Sequence, residues 1–202
     1  MTTLDINPPE PYKALIFDCD GTLADTMPVH YIAWRASLQS FGADFDEDHF
    51  YRLGGVPTDK IIMLLNEEFG YGLDVDKTYE DKERRYVELI DQVTEVEAVV
   101  AIARNNFGKV PMAVASGGTH DIVEATLGVL KLRSLFDVVI GADDVTHGKP
   151  DPECYLLAAE KMGVKPEECV VYEDGDPGIE AAARAGMRVI DVRVLTRKAD
   201  KS

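Results

Sequence analysis

Five short apolar runs restrict the fold of this chain more than any other feature of its sequence. Four of them end directly at a polar residue or a glycine: ALIF before Asp18, MAVA before Ser116, DVVI before Gly141 and CVVY before Glu173. The fifth is RVIDV at residues 188–192. A short apolar run that stops at a turn residue is typical of a buried β-strand. The sequence therefore predicts five buried strands.

Helical stretches separate the later runs. We predict helices over residues 121–132, 152–162 and 177–185. Two of them begin at Asp-Pro pairs, a capping residue followed by proline at the first helical position, and two stop at Gly163 and Gly186. Alternating strands and helices predict an α/β fold: a Rossmann-like parallel sheet with helices on both faces, whose ligands gather beyond the carboxyl ends of the strands.

The segment 27–93 has a different pattern. Its stretches VHYIAWRASLQSF, DKIIMLLNEEF and YEDKERRYVELI have a helical period, and it contains no strand-like run. We therefore predict a core formed by residues 1–26 and 94–202 and a small all-helical cap, 27–93, inserted after the first strand. Because the insertion begins just after that strand, we expect it above the carboxyl edge of the sheet as a lid, with hinges near Asp25 and Thr94.

Acidic side chains follow two of the predicted strands. Asp18 and Asp20 come after the first run, and Glu173 and Asp174 come at the end of CVVY. Carboxylates gathered at one sheet edge would repel each other by several kcal/mol at low effective dielectric unless a cation lies among them. Oxygen ligands without His or Cys favour Mg²⁺, so the sequence predicts a magnesium site at this edge.

Potential phosphate ligands follow other strands of the same sheet. Ser116 and Gly117 enter a helix, where backbone amides favour an anion, and Lys149 lies a few residues beyond its strand. Mg²⁺ is often shared with a substrate phosphate, and the chain has no Walker-type glycine loop. These groups describe a phosphoryl-transfer site in which one carboxylate forms an aspartyl-phosphate and its neighbour two residues on moves the proton.

Four motifs in order resemble those of the haloacid dehalogenase superfamily. They are FDCDGTLADT, VASGG, HGKPDPE and VVYEDGDPGIEAA, and the resemblance covers nearly the whole chain, including the position of the helical cap. It implies that Asp18 is the nucleophile and Asp20 the general acid and base, with its backbone carbonyl on Mg²⁺. It also implies that Asp174 and Glu173 hold the metal, Glu173 directly or through water, and that Ser116, Gly117 and Lys149 hold the phosphate.

Within the superfamily the sequence is most similar to the beta-phosphoglucomutase-like group, above all to phosphatases of fructose 1-phosphate and 6-phosphogluconate. In the mutases an Arg soon after a GGV-type loop grips a second phosphate, whereas here Pro57, Thr58 and Asp59 follow that loop. Lys82 matches a cap lysine of the mutases. The resemblance therefore implies a sugar-phosphate substrate, with weaker candidate contacts in the cap: His30, Trp34, Gly54, Gly55 and Lys82.

Composition and charge argue against nucleic-acid binding, membrane insertion and a disulfide-rich fold. The chain has 37 acidic and 21 basic residues, a net charge of −16, and no basic run that would attract nucleic acid. Its apolar stretches are far shorter than the ~20 residues of a membrane span, and residues 1–10 lack a signal-peptide pattern. Three cysteines without close spacing indicate no disulfide framework. We expect a cytoplasmic monomer whose partner is a small phosphorylated metabolite.

Three functions remain as hypotheses from the sequence. The first is a Mg²⁺-dependent phosphatase of small sugar phosphates that acts through an aspartyl-phosphate. The second is a beta-phosphoglucomutase, which would return the phosphoryl group to a sugar. The third, of another class, is a phospho-acceptor switch; Asp20, a proton donor that a switch does not need, and the helical insertion both argue against it.

Overall fold

The computed structural model describes residues 6–53 and 56–195. Its chain separates into two compact units. One, the core unit, consists of the chain up to Asp25 together with the chain from Thr94 onward; the other, the helical unit, is Thr26–Val93. The sequence analysis placed these boundaries at 26/27 and 93/94. No helix among the described residues is both long and apolar enough to cross a membrane.

A five-stranded parallel sheet forms the centre of the core unit. The strands of the protein are β1 Ala14–Phe17, β2 Ala24–Asp25, β3 Thr94–Glu95, β4 Met112–Ala115, β5 Val138–Ile140, β6 Cys169–Glu173 and β7 Arg188–Asp191. The sheet has the order β5-β4-β1-β6-β7, and all its neighbours are parallel. Every residue of β1, β4 and β6 is buried, as the unbroken apolar runs require. The predicted parallel sheet is confirmed.

Within residues 6–53 and 56–195, eight α-helices either pack beside this sheet or form the helical unit. They are α1 Met27–Ser40, α2 Glu47–Arg52, α3 Thr58–Phe69, α4 Val75–Leu89, α5 Glu97–Asn106, α6 His120–Val129, α7 Glu153–Met162 and α8 Asp176–Arg184. Helix α6 is shorter than predicted at its C-terminus, since Lys131 adopts a left-handed φ of 57°. Helix α7 ends at Gly163, which has a φ of 68°.

The two Asp-Pro pairs do not begin their helices in the predicted way. Helix α7 begins one residue later, at Glu153, and the Asp151 carboxylate accepts the Glu153 N–H at 3.0 Å. Helix α8 begins one residue earlier, with Asp176 already helical after Gly175. In both cases the proline lies in or next to the first turn, where its missing N–H costs nothing.

The helical unit has a hydrophobic core of its own. Helix α1 packs on α4, and α3 packs on the same helix. Its largest buried side chains include Trp34, Leu38, Ile62 and Leu65, which belong to one cluster. No strand occurs among its described residues, as the helical period of the segment predicts.

A short antiparallel ladder marks the point where the chain leaves the core sheet and returns to it. Ala24 pairs with Glu95 and Asp25 with Thr94, and the Val96 N–H donates to the Leu23 carbonyl at 2.9 Å. The outgoing and incoming strands β2 and β3 therefore run side by side. The two predicted hinges lie in this ladder; hinge motion there stays a prediction.

Candidate active site

Three carboxylates meet at the carboxyl edge of the sheet. Strand β1 ends at Phe17, which pairs with Tyr172 in β6, so Asp18 lies beside Glu173 and Asp174. Each of these three side chains offers an oxygen within 4.8 Å of the other two. Asp18 and Glu173 are buried, at 6% and 3% exposure. The parallel register of two adjacent strands is therefore what brings two distant parts of the sequence into one acidic cluster.

Lys149 lies among these carboxylates and balances part of their charge. Its ammonium group donates to Asp18 Oδ1 and to Glu173 Oε1, both at 2.7 Å. Only a tenth of the lysine side chain is exposed. The Tyr155 ring lies 5.0 Å from the ammonium group, a distance suited to a cation–π contact. Lys149 thus joins the loop after β5 to the ends of β1 and β6.

The Glu173 carboxylate is held by three donors. Besides Lys149, the Tyr155 hydroxyl donates to Oε1 at 3.1 Å, and the Gly175 N–H donates to Oε2 at 2.6 Å. The carboxylate lies against the first turn of α8, where a Cβ on Gly178 would overlap it. A side chain at position 178 would therefore displace Glu173 from its partners.

The Asp174 carboxylate packs against the turn that follows β1. The Thr22 hydroxyl donates to Asp174 Oδ1 at 3.0 Å. Gly21, with a φ of +81°, lies so close that a Cβ there would overlap Asp174 Oδ2. Only glycine combines this backbone conformation with such an approach, which explains in physical terms the glycine of the DGT sequence.

Asp20 and Ser116 connect the end of β1 with the end of β4. The Ser116 hydroxyl donates to Asp20 Oδ2 at 3.3 Å and accepts the Gly118 N–H at 3.1 Å. Ser116 is buried, whereas Asp20 and Gly117 are more exposed. The serine therefore shapes the loop that enters α6 and orients the second aspartate at the same time.

The pKa values of the cluster reflect its excess of negative charge. Burial raises the pKa of Asp18 well above its usual range; Lys149 opposes this effect, and Glu173 adds to it. Burial and the neighbouring Glu173 raise the pKa of Asp174 to about 6. Burial, the largest single influence, lowers the pKa of Lys149, but Asp18, Tyr155 and Glu173 together outweigh it, and the pKa of the lysine rises well above its usual range. A single lysine thus leaves part of the acidic charge uncompensated.

This donor set fits a hard divalent cation. The available ligand atoms are carboxylate oxygens without sulfur or imidazole, which suits Mg²⁺ better than a transition metal. The pKa of Asp174 is raised first by burial and then by Glu173, so keeping these buried groups ionised without a cation is costly. Asp18 and Asp174 are near enough for one ion to contact both, which meets the geometric requirement for a shared metal site.

The predicted contacts of the helical unit form a second group. Lys82 is 3% exposed, and its ammonium group lies 5.7 Å from the Trp34 ring and 5.6 Å from the Tyr86 ring. His30 stacks on Tyr86 with ring centroids 4.0 Å apart. The structure therefore brings His30, Trp34 and Lys82 into one neighbourhood. Gly54 and Gly55 lie outside the described residues.

Sequence reasoning missed Tyr155 and Gly178. Tyr155 lies on the apolar face of α7, and its fully buried position gives no signal that the hydroxyl reaches Glu173. Gly178 stands in the first turn of α8, where glycine is costly for a helix, and that cost was a usable sign of a close approach.

Residues 12–186 match the family of haloacid dehalogenase-like hydrolases. The chain is 41% identical to fructose-1-phosphate phosphatase YqaB of Escherichia coli (strain K12), over 92% of this chain and 99% of that one. It is 29% identical to beta-phosphoglucomutase of Bacillus subtilis (strain 168), over 89% and 83%. The crystal structure of CbbY from Rhodobacter sphaeroides in complex with phosphate superposes with a TM-score of 0.82 at 26% identity, over 90% and 86% of the two chains.

Proposed function

This chain belongs to the haloacid dehalogenase-like hydrolases, and from that membership we propose that it is a Mg²⁺-dependent phosphatase of small sugar phosphates, of the fructose 1-phosphate or 6-phosphogluconate type. The observation that carries the proposal is the acidic cluster of Asp18, Glu173 and Asp174 around Lys149, with Asp20 bonded to Ser116 beside it. Such a site would place a nucleophile, a proton carrier and one cationic donor at the same edge of the sheet.

Asp18 is the proposed nucleophile. One of its carboxylate oxygens forms a bond to phosphorus while the bond from phosphorus to the sugar oxygen breaks. Asp20 donates a proton to that departing oxygen, then accepts a proton from the water that attacks the aspartyl-phosphate. Water thereby releases inorganic phosphate and regenerates Asp18. The hydrogen bond from Ser116 supports this role, because it fixes the orientation of the Asp20 carboxylate.

Lys149, Ser116 and Gly117 are the proposed phosphate ligands. Lys149 lies between two carboxylates, so its charge both offsets their repulsion and attracts the transferring phosphoryl group. The loop from Ser116 leads into α6, whose N-terminal amides favour an anion. Mg²⁺, held by Asp18, Asp174, the Asp20 carbonyl and Glu173 directly or through water, would supply charge neutralisation on the phosphate oxygens.

A phosphatase is favoured over a mutase by the helical unit. Transfer to a sugar that already carries a phosphate needs a second cationic clamp, and the residues after the GGV sequence are Pro57, Thr58 and Asp59. The higher identity to the Escherichia coli phosphatase than to the mutase agrees with this reading. We further propose that the helical unit acts as a cap that selects the leaving group through Lys82, Trp34, His30 and the Gly54-Gly55 loop.

A screen of phosphorylated metabolites tests the proposal. We expect Mg²⁺-dependent release of phosphate from fructose 1-phosphate or 6-phosphogluconate. Efficient conversion of beta-glucose 1-phosphate to glucose 6-phosphate with a bisphosphate activator would favour the mutase instead. A phosphorylated Asp18 that persists without turnover would favour the switch.

Metal binding can be measured without turnover. We expect added Mg²⁺ to raise the melting temperature of the protein, because a ligand at 100 times its Kd adds about 2.7 kcal/mol to the stability of the state it binds. The Asp174→Asn variant should lose most of this shift. An equal shift in both proteins would show that Mg²⁺ binds elsewhere.

Two further proposals concern the state of the protein. We propose that it is a monomer, which sedimentation analysis would test. We also propose that it works in a reducing cytoplasm; Cys19, Cys154 and Cys169 are all buried and unpaired in disulfides, which suits such a compartment.

A further inference from the structure

The loop after β5 is bonded to the loop that carries the proposed phosphate ligands. The Ala142 N–H donates to the Gly118 carbonyl at 2.8 Å, and the Asp143 carboxylate accepts the His120 N–H at 2.6 Å. The His120 ring nitrogen Nδ1 lies 2.8 Å from Asp144 Oδ2, which also accepts the Gly141 N–H at 2.8 Å. The loop after β5 and the loop that enters α6 are therefore joined by side chains from each of them.

These contacts replace the usual cap of helix α6. Its N-terminal flanking residue, Thr119, makes no capping hydrogen bond with its side chain, and Asp143 from the neighbouring loop takes one of the free amides. The loops also pack closely, since a Cβ on Gly141 would overlap the His120 backbone. The start of α6 thus depends on a different part of the chain for its position.

The charges around His120 favour the bond to Asp144. On its own helix the nearest carboxylate is Glu124, 3.7 Å from Nε2, and Arg133 already bonds both Glu124 oxygens at 2.8 Å. From the β5 loop, Asp143 and Asp144 face His120, and Asp144 makes the shorter contact with the ring. The His120–Asp144 pair is therefore a direct contact between side chains of the two loops, beside the bond from the His120 N–H to Asp143.

We infer that His120 and Asp144 are positioning residues that hold the Ser116–Gly118 loop in the shape that binds phosphate. The inference rests on the proposed function, because it concerns the same phosphate subsite. Ser116 bonds both Gly118 and Asp20, so a displacement of Gly118 reaches the serine through one hydrogen bond. Loss of the His120–Asp144 contact therefore lowers the affinity for phosphate more than it lowers the rate of the chemical step.

Substitutions of His120 test the inference. An Asn side chain can place its amide donor near the position of Nδ1, whereas Ala removes the donor. We expect His120→Ala to weaken binding of inorganic phosphate about tenfold, which is the effect of one lost charge-assisted hydrogen bond. Calorimetry measures this affinity. KM should rise by a similar factor, whereas kcat should change less than about threefold. His120→Asn should restore most of the affinity, and Glu124→Gln should leave it unchanged.

Two results would overturn the inference. One is a His120→Ala protein that binds phosphate as tightly as the wild type. The other is an Asn variant that is as impaired as the Ala variant. The loss of affinity would then not come from the hydrogen bond to Asp144. Failure of the wild-type protein itself to bind inorganic phosphate or release it from any ester would instead reject the proposed function.

Discussion

The core unit and the helical unit bury their charges differently. In the core unit, carboxylates and a lysine contact one another at the edge of a sheet, where hydrogen bonds fix each group. In the helical unit, Lys82 bonds Glu83 at 2.8 Å and lies among aromatic rings. Strand register therefore decides which charged groups meet in the core unit, whereas in the helical unit the packing of aromatic rings and a bond to the next residue along the chain fix Lys82.

The two units also differ in their surfaces. Among the described residues, most of the large apolar side chains that remain exposed belong to the helical unit; they include Ile32, Phe41, Met63, Leu64 and Phe69. The core unit keeps its large apolar side chains inside, with Phe107 and Leu156 as exposed cases. From the roles proposed above, we expect substitutions in the core unit to affect turnover and those in the helical unit to affect substrate choice.

The largest effect should come from the nucleophile. Asp18→Asn removes the carboxylate oxygen that forms the bond to phosphorus, and we expect kcat to fall by at least about 10³-fold with the fold retained. Phosphate release by the purified variant is the measurement, and circular dichroism checks the fold. Asp91→Asn, an exposed position in the helical unit, is the control and should keep full activity. Undiminished turnover in the Asp18 variant would show that Asp18 is not the nucleophile.

A smaller effect should follow from Gly178→Ala. The new Cβ forces the Glu173 carboxylate away from Lys149 and Tyr155, so kcat/KM should fall about 10- to 100-fold, as for other lost supporting contacts. Stability should fall as well, because the lost hydrogen bonds of the buried Glu173 carboxylate outweigh the up to about 1 kcal/mol by which Ala favours a helix over Gly.

Gly128→Ala is the matched control for that substitution. Gly128 also lies in a helix, α6, but nothing lies within 4 Å of its added Cβ. It should gain stability and keep its activity. Equal losses of activity in the two variants would show that the close approach to Glu173 is irrelevant.

Lys82→Met tests the helical unit. Methionine fills much of the space among the rings, but it removes the charged partner of Glu83, and the loss of one member of a buried ion pair is destabilising. We expect the melting temperature to fall, and KM for the sugar phosphate to rise about tenfold if this lysine contacts substrate. The exposed Lys77→Met is the control. A large loss of stability with unchanged KM would assign Lys82 a purely structural role.

The smallest effect concerns pH. The bond to Asp144 raises the pKa of His120, and the Gly141 N–H, together with His120, lowers the pKa of Asp144. The histidine contributes stability below its unfolded pKa and loses it as pH rises through the raised value; the aspartate loses its contribution as pH falls through the lowered value. Both contributions are therefore present between those limits.

The comparison of the wild type with His120→Asn measures this contribution. Because a partly exposed pair contributes little, the wild type should melt only about 1 to 2 °C higher near pH 5 to 6, and the difference should shrink as pH rises through the raised pKa of His120. A difference that is independent of pH would show that the charge on His120 adds nothing. A pH-dependent difference would show that charge pairs in the core unit, to which His120 belongs, contribute to its stability.

The sequence predicted the core better than the details that support it. Unbroken apolar runs predicted all five strands of the sheet, and the polar residues after β1, β4 and β6 predicted side chains that the structure does bring together at the sheet edge. The link between His120 and Asp144 left no sequence signal, because it depends on how two loops meet in space. Strands β2 and β3, two residues each, are too short to show a period.

The ladder of β2 and β3 has a consequence for how such a protein can be altered. Because Asp25 and Thr94 are paired across it, both ends of the 68-residue helical segment leave from nearly one point. Excising that segment and joining its ends with a short turn would leave the five-stranded sheet with its connections intact, and the cost of closing a loop at that point rises only slowly with its length. The ladder is therefore a place where a different helical segment could be inserted without a change to the acidic cluster.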